Sequence, residues 1–366
     1  MLNDSIQGYL TENYSFEHWR THARASTLGY DVDAWHLYAD LGWLGTAIPE
    51  SFGGTGGGMT ELGILMAAAG RHMVLEPLLG TIALGAAAIE IAGTEDQCRK
   101  ILPEIATGKK LLAFCHTEPD AGYARDFVQT IARPIDGGFI IEGHKTFALG
   151  AHAADLLIVS ARIDSQAGPI ALFLVPGTSE GVNRNSAAGL DGRLGAAIQF
   201  SSVQIEEGVQ LGDSGDTQAV IDQLIDRGAI AACAEACGAM AAATLATVDY
   251  LKVREQFGRP LSKFQVLQHR LVDMSVACEE ARVVVHAALE AIDDNAVDAQ
   301  RAVWLAKVQT ARAARFVGTQ SIQLHGGMGM TDELAVGHLY KRLTVCEALF
   351  GDAEWYLSQI GKSSTP

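Results

Sequence analysis

Three stretches of the chain combine residue types that could hold a phosphorylated or polar ligand. In FCHTEPDAG, Phe114 to Gly122, the hydroxyl of Thr117 can donate or accept, and Gly122 lets the backbone approach a ligand closely. In REQFGRPLSKFQ, Arg254 opens a run whose guanidinium matches phosphate oxygens, and Phe257 and Gln265 follow it. In QLHGG, Gln323 precedes Gly326 and Gly327, where absent side chains leave backbone N–H groups open to an anion. His325, between them, has no nucleophile or acid placed beside it by the sequence and reads as a structural residue.

Composition narrows the partners. The 366 residues carry 27 Lys and Arg against 43 Asp and Glu, a net charge of −16. Such an acidic surface argues against nucleic acid or an anionic membrane as the main partner and leaves room for a local anion site. The six cysteines (Cys98, Cys115, Cys233, Cys237, Cys278 and Cys346) show no zinc-ligand spacing, so no metal is expected. Cys233 and Cys237 read as small apolar residues on one helix face. The N-terminus has neither a basic stretch nor an apolar core, and the weakly polar run from Gly80 is too short to span a bilayer, so a cytoplasmic protein is expected.

The elements that must position these residues fall into three textures. Residues 1–110 read as a helical domain. Trp35, Leu37, Tyr38 and Leu41 are spaced for one helix face, a glycine-rich loop at Gly53–Gly58 leads to a helix starting at Thr60 and Glu61, another helix covers roughly Thr81 to Ile91, and a further one begins near Thr94. Residues 111–210 alternate short apolar runs with Gly, Asp and Pro, including a hairpin turn at Asp136-Gly137-Gly138, and read as a β-barrel or sandwich. Residues 216–366 return to long helices. Phe264, Leu267, Leu271, Met274 and Cys278 step by three and four, with Ser262 as N-cap, as in a four-helix bundle. The fold class is therefore α+β, in the order helical, β, helical.

On these stretches, together with the N-terminal ADLGWLGTAIPESFGG, the chain resembles the acyl-CoA dehydrogenase family along nearly its whole length. The resemblance implies FAD as cofactor, an acyl-CoA substrate, and α,β-dehydrogenation in which a carboxylate takes the α-proton and hydride passes to the flavin. The flavin carries the redox step, and the protein positions and polarises. It implies a place beside the flavin for Phe114, Thr117 and Gly122, with Tyr123 where the family has a serine that meets CoA. In GHKTFALG it puts Phe147 at the stacking aromatic and Leu149 where a hydroxyl toward flavin N5 is expected. Arg254, Phe257 and Gln265 would meet the FAD of a neighbouring subunit, and Gln323, Gly326 and Gly327 the FAD phosphates. Arg227 falls near the substrate. An electron-transfer flavoprotein and a tetramer follow by the same resemblance, in fatty-acid or steroid side-chain catabolism.

The catalytic base is where the chain departs from the family. Phe350, in LFG, occupies the family's glutamate position, and a phenyl ring accepts no proton. The second family position, 26 residues ahead of Arg254, is Gly228 (254 − 26 = 228). Three readings stand open. The chain is the base-less subunit of an α2β2 enzyme, like the small subunit of pimeloyl-CoA-type or steroid side-chain dehydrogenases. Alternatively, Asp352, Asp226 or Glu347 serves as a displaced base in a homotetramer. Third, the fold serves an oxygen-using or non-catalytic flavoprotein.

Overall fold

The computed structural model describes residues 2–25, 27–206, 208–212 and 217–363. The chain divides into two compact units: Met1–Thr21 with Met59–Val74 and Ala229–Pro366, and His22–Gly58 with Leu75–Gly228. In chain order the helices and strands are α1 (Leu2–Asn13), α2 (Phe16–Ala25), α3 (Val32–Asp40), α4 (Met59–His72), a wide helical segment Leu78–Ala86 that runs into α5 (Ala87–Ala92), and α6 (Glu95–Ala106). There follow β1 (Leu112–Cys115), β2 (Ile131–Ile135), β3 (Gly138–Leu149), β4 (Leu156–Ile163), β5 (Ile170–Pro176), β6 (Val182–Ala188) and β7 (Leu194–Glu206). The chain ends with α7 (Thr217–Val253), the two-residue strands β8 (Glu255–Gln256) and β9 (Arg259–Pro260), α8 (Gln265–Asp293), α9 (Ala299–His325), α10 (Ala335–Ala348) and α11 (Ala353–Ser363). This is the expected α+β order.

The sheet-bearing unit is built on one curled seven-stranded sheet, ordered β1-β4-β2-β3-β7-β6, with β5 on β4. The anticipated hairpin forms: Ile135 pairs with Gly138, and Asp136-Gly137 makes the two-residue turn, with Gly137 at φ +79°. Strand β3 slips register between Ile141 and Gly143 and again between Lys145 and Ala148, and such bulges re-aim side chains. Alternate residues such as Ile141, Val159, Phe173, Ile198 and Val203 fill the core below the sheet. In the same unit, Asp31 caps α3 by accepting from the N–H groups of Asp33 and Ala34. Trp35 and Tyr38 are buried, but Leu41, past the end of α3, is 44% exposed and does not share their face. Helix α6 starts where the sequence placed it, and there Thr94 and Gln97 form a capping box that the sequence reading did not name.

In the helical unit, α4 begins at Met59, one residue before the expected start. Its cap comes from far along the chain: the Asp293 carboxylate accepts from Met59 N (2.7 Å) and from Thr60 N (2.9 Å). Helix α8 begins at Gln265 with Phe264 ahead of it, so Ser262 is not its N-cap. Ser262 lies in a 3₁₀ turn, and its carbonyl accepts from the Gln268 side chain. Helix α7 is long and apolar enough to cross a bilayer by length and composition, which the Gly80 run is not, but two-thirds of its most apolar window is buried, as in a core helix. Cys233 is buried on α7, and burial raises the pKa of both its thiol and that of Cys237, as for inert packed cysteines. A fully buried ion pair joins Glu235 of α7 to Arg342 of α10, and Arg342 also donates to the Val74 carbonyl at 3.2 Å.

Candidate cofactor and acyl-thioester site

In the sheet-bearing unit the loop after β1 is pinned from below. Lys145 of β3 is fully buried and spends its three donors on Glu118 Oε1 (2.6 Å), Ser160 Oγ (3.0 Å) and the His116 carbonyl (3.1 Å). Glu118 also accepts from the N–H groups of Gln129 and Thr130 and from the Thr130 hydroxyl. Burial pushes Lys145 down to about 8, against the pull of Glu118. Burial would raise Glu118, but the charge and hydrogen bond of Lys145, with those of Thr130, hold it below the usual carboxylate range. His116 Nδ1 meets Ser160 Oγ at 2.9 Å, and burial drives its pKa down to about 3, so the ring is neutral. This network was not anticipated. Its one sequence signal is a lysine in the middle of a strand.

Above this network lie the residues singled out by the resemblance. Thr117 is exposed, and its carbonyl accepts from Thr146 N (2.9 Å) and Oγ1 (3.2 Å), which ties the loop to β3. Phe114 is half-buried and stacks on His116, with centroids 5.6 Å apart and planes at 9°. Gly122 is exposed at φ +54°, and a Cβ there would meet nothing within 4 Å. Tyr123 is half-buried beside it. Phe147 is 41% exposed and lies across Gly195 of β7, where a Cβ would come 2.6 Å from its ring. Leu149 is half-buried at the end of β3 and offers no hydroxyl. Arg227 faces Glu90 at 3.5 Å, and Gly228 is buried in α7.

In the helical unit a second set gathers at helix ends. Strands β8 and β9 make a two-residue hairpin with Phe257 at φ +56° and Gly258 at φ +76°, which leaves Phe257 89% exposed at the tip. Arg254 stands exposed at its base and makes no ion pair among the described residues. Gln265 is exposed at the first turn of α8. Tyr250, one turn before Arg254, stacks on His325 (4.4 Å, 22°), which links the end of α7 to the glycine turn. His325 Nδ1 bonds the Ser321 carbonyl, and burial lowers its pKa, so it is a neutral spacer. Gln323, Gly326 and Gly327 are exposed, and a Cβ at either glycine would meet nothing within 4 Å. The Gly326 N–H, however, caps α9 on the carbonyls of Ile322 and Gln323, so it is not the open donor expected.

Three carboxylates were candidates for a displaced base, and each is engaged. Asp352 Oδ1 caps α11 by accepting from Trp355 N at 2.8 Å. Asp226 pairs with Arg125 at 2.7 Å, its side chain 9% exposed. Glu347 pairs with Arg315. Phe350 itself is half-buried and sits at φ +64°, a left-handed conformation rare for an aromatic residue.

Comparison with known proteins decides the family. The acyl-CoA dehydrogenase N-terminal, middle and C-terminal domain models match residues 1–109, 113–203 and 218–365. The "Acyl-CoA dehydrogenase, short-chain specific" of Megasphaera elsdenii is 31% identical over 91% of this chain and 89% of its own. This chain belongs to the acyl-CoA dehydrogenase family. The "Caffeyl-CoA reductase-Etf complex subunit CarC" of Acetobacterium woodii is 29% identical over 83% of this chain and 82% of its own. A solved variant of the Tcur3481-Tcur3483 steroid ACAD superposes with a TM-score of 0.89 at 28% identity, over 99% of this chain and 96% of that one. FAD is the cofactor of the family. The residues here fit it: an exposed hydroxyl at Thr117, an exposed aromatic at Phe147, an uncommitted cation at Arg254, and glycines whose missing side chains leave open approach.

Proposed function

We propose that this acyl-CoA dehydrogenase chain is the base-less member of a mixed oligomer, in which a sister subunit of the same family carries the catalytic glutamate. The observation that carries the reading is at Phe350: an aromatic side chain holds the family's base position, while Asp352, Asp226 and Glu347 are each tied to another group. A carboxylate spent on a helix cap or an ion pair is a poor proton acceptor. The likeness to a steroid ACAD whose name joins two components supports a paired assembly. So does the surface of α8, where Val272, Val276 and Val283 are each more than half exposed.

Thr117, Gly122 and Phe147 would hold the isoalloxazine end of one FAD, while Arg254, Phe257 and Gln265 would meet the phosphate and adenine parts of a neighbouring subunit's FAD, and Gln323 and Gly327 would approach FAD phosphates. When bound, FAD supplies the hydride acceptor for the α,β-oxidation of a CoA thioester. Phe350 moves no proton. Its backbone N–H remains as a donor able to polarise a thioester carbonyl, in the manner of an oxyanion hole. Leu149 supplies no hydroxyl toward the flavin, so this subunit contributes less polarisation there than a family member with a hydroxyl at that position. An electron-transfer flavoprotein takes up the electrons, a reading supported by the Etf complex named for the Acetobacterium woodii relative. The compartment is cytoplasmic, and the acyl group is a fatty or steroid side chain.

The test is flavin content and anaerobic reduction by acyl-CoAs, first on the chain alone and then with a co-expressed family partner bearing the glutamate. Bleaching only in the pair supports the reading. Bleaching by the chain alone sinks it and turns attention to Asp352 and Asp226.

A further inference from the structure

Lys307 of α9 is fully buried, and no role described above uses it. Its Nζ donates to the Cys346 carbonyl, in the last turn of α10, at 2.6 Å. Burial pushes its pKa down, against the pull of the Cys233 and Cys346 thiols, Glu347 and Asp352. Ammonium and amine alike carry an N–H to donate, so the bond survives in either form.

What Lys307 occupies is the place of another donor. In an α-helix the N–H of residue i bonds the carbonyl of residue i−4, so the Cys346 carbonyl is the partner that Phe350 N–H would have if α10 ran on. The helix stops short of that. Leu349 N–H takes the Val345 carbonyl, Leu349 turns to φ −61° and ψ +132°, and Phe350 follows at φ +64°. The Phe350 N–H then has no acceptor among the described residues. Cys346 is buried, and a bare carbonyl there would be costly. One more helical residue, which recaptures Phe350 N–H, would be the nearest way to satisfy it. The bond from Lys307 removes that incentive.

The same face of α9 steadies the far side of the turn. Trp304, three residues before Lys307, packs on Tyr356 with centroids 6.5 Å apart, and the Tyr356 hydroxyl donates to the Phe350 carbonyl at 2.9 Å. Residue 350 is thus held with its carbonyl engaged and its N–H uncommitted.

We propose that Lys307 is a positioning residue for thioester binding: by standing in for the Phe350 N–H at the Cys346 carbonyl, it keeps that N–H available to the carbonyl oxygen of an acyl-CoA. The inference rests on the reading of Phe350 N–H as the donor that polarises the thioester, and adds the group that keeps the donor free.

The experiment is isotope-edited infrared spectroscopy of crotonyl-CoA, labelled with ¹³C at the thioester carbon, bound to the FAD-loaded chain, its Lys307→Met variant and its Val303→Ala variant. In the wild type the thioester carbonyl band should move to lower frequency on binding, as expected of a carbonyl polarised by a hydrogen bond. In Lys307→Met most of that shift should be lost, and affinity should fall by about 2–10-fold, the worth of one hydrogen bond. Val303→Ala trims a buried side chain one turn away on α9 and leaves the Cys346 carbonyl its donor, so it should keep the wild-type shift. If the methionine variant does not fold, the unliganded wild type still decides: the Phe350 amide should exchange with deuterium much faster than that of Leu349, which bonds the Val345 carbonyl. A Phe350 amide as protected as Leu349 overturns the proposal. So does an unshifted or absent bound band in the wild type, a full shift kept by Lys307→Met, or the same loss in Val303→Ala. Crotonyl-CoA is already oxidised at its α,β bond, so the readout needs no turnover. A chain that bleaches its flavin unaided with saturated thioesters would therefore defeat the base-less reading and leave this result standing.

Discussion

The Tyr356 hydroxyl donates to the Phe350 carbonyl at 2.9 Å, across the turn between α10 and α11, and so helps to hold an aromatic side chain at φ +64°. Left-handed geometry costs a residue with a Cβ about 1–2 kcal/mol. Gly351 follows at φ +120°, so two successive residues of the turn leave the usual regions. Backbone strain of this kind gathers at functional sites, where surrounding structure over-determines it. The turn is thus built to present whatever residue stands at 350, and in this chain that residue is a phenylalanine.

The Tyr356→Phe variant should lose the bond with little change of shape. A stability loss of about 0.5–1.5 kcal/mol is expected, read from urea unfolding. A variant as stable as the wild type would mean that the turn holds Phe350 by packing alone.

The Lys145 network predicts a large asymmetry between single and paired changes. Lys145→Met strands the Glu118 carboxylate among Thr130 and Gln129, and should cost about 3–5 kcal/mol. Glu118→Gln strands the ammonium and should cost about as much. The double variant should recover part of the loss, with the coupling read from a double-mutant cycle. Strict additivity would contradict a shared network.

The pH dependence follows from His116. Its folded pKa lies near 3, mainly through burial, below the ordinary value of 6.5. The unfolded chain therefore binds a proton that the folded chain refuses, and stability is lost as pH falls from about 6.5 toward 3. For one group the loss at pH 4 is on the order of 3 kcal/mol. Glu118, held low by Lys145, adds its own loss below the ordinary carboxylate pKa, so the window between pH 6.5 and 4.5 is the informative one. His116→Leu should flatten the stability profile there relative to the wild type, in urea midpoints measured at each pH. Parallel profiles would show that another group carries the acid sensitivity.

The sequence made the layout legible because period and texture are local signals. Strand alternation marked the β region, and the Asp136-Gly137 turn formed as its residues dictate. Local signals also misled: Ser262 has the right type for a cap, but the chain turns once more before α8, and Leu41 lies just beyond the end of the helix whose spacing it continues. What the sequence hid was set by distant partners. Asp293 caps a helix more than two hundred residues earlier, Lys145 finds Glu118 and Ser160 only once β1, β3 and β4 are assembled, and Leu194 meets Gly29 across the unit. Phe350 was legible at the position where the resemblance puts the family's base, but only the folded chain shows that Asp352, Asp226 and Glu347 are already occupied.

The most direct measurement is made on the chain purified alone and reconstituted with FAD. Under anaerobic conditions it is titrated with a panel of acyl-CoAs while flavin absorption in the visible is recorded, beside a Phe350→Glu variant treated in the same way. The wild type should bind thioester without bleaching its flavin, and Phe350→Glu should bleach. Rapid, stoichiometric bleaching by the wild-type chain would contradict the base-less reading outright.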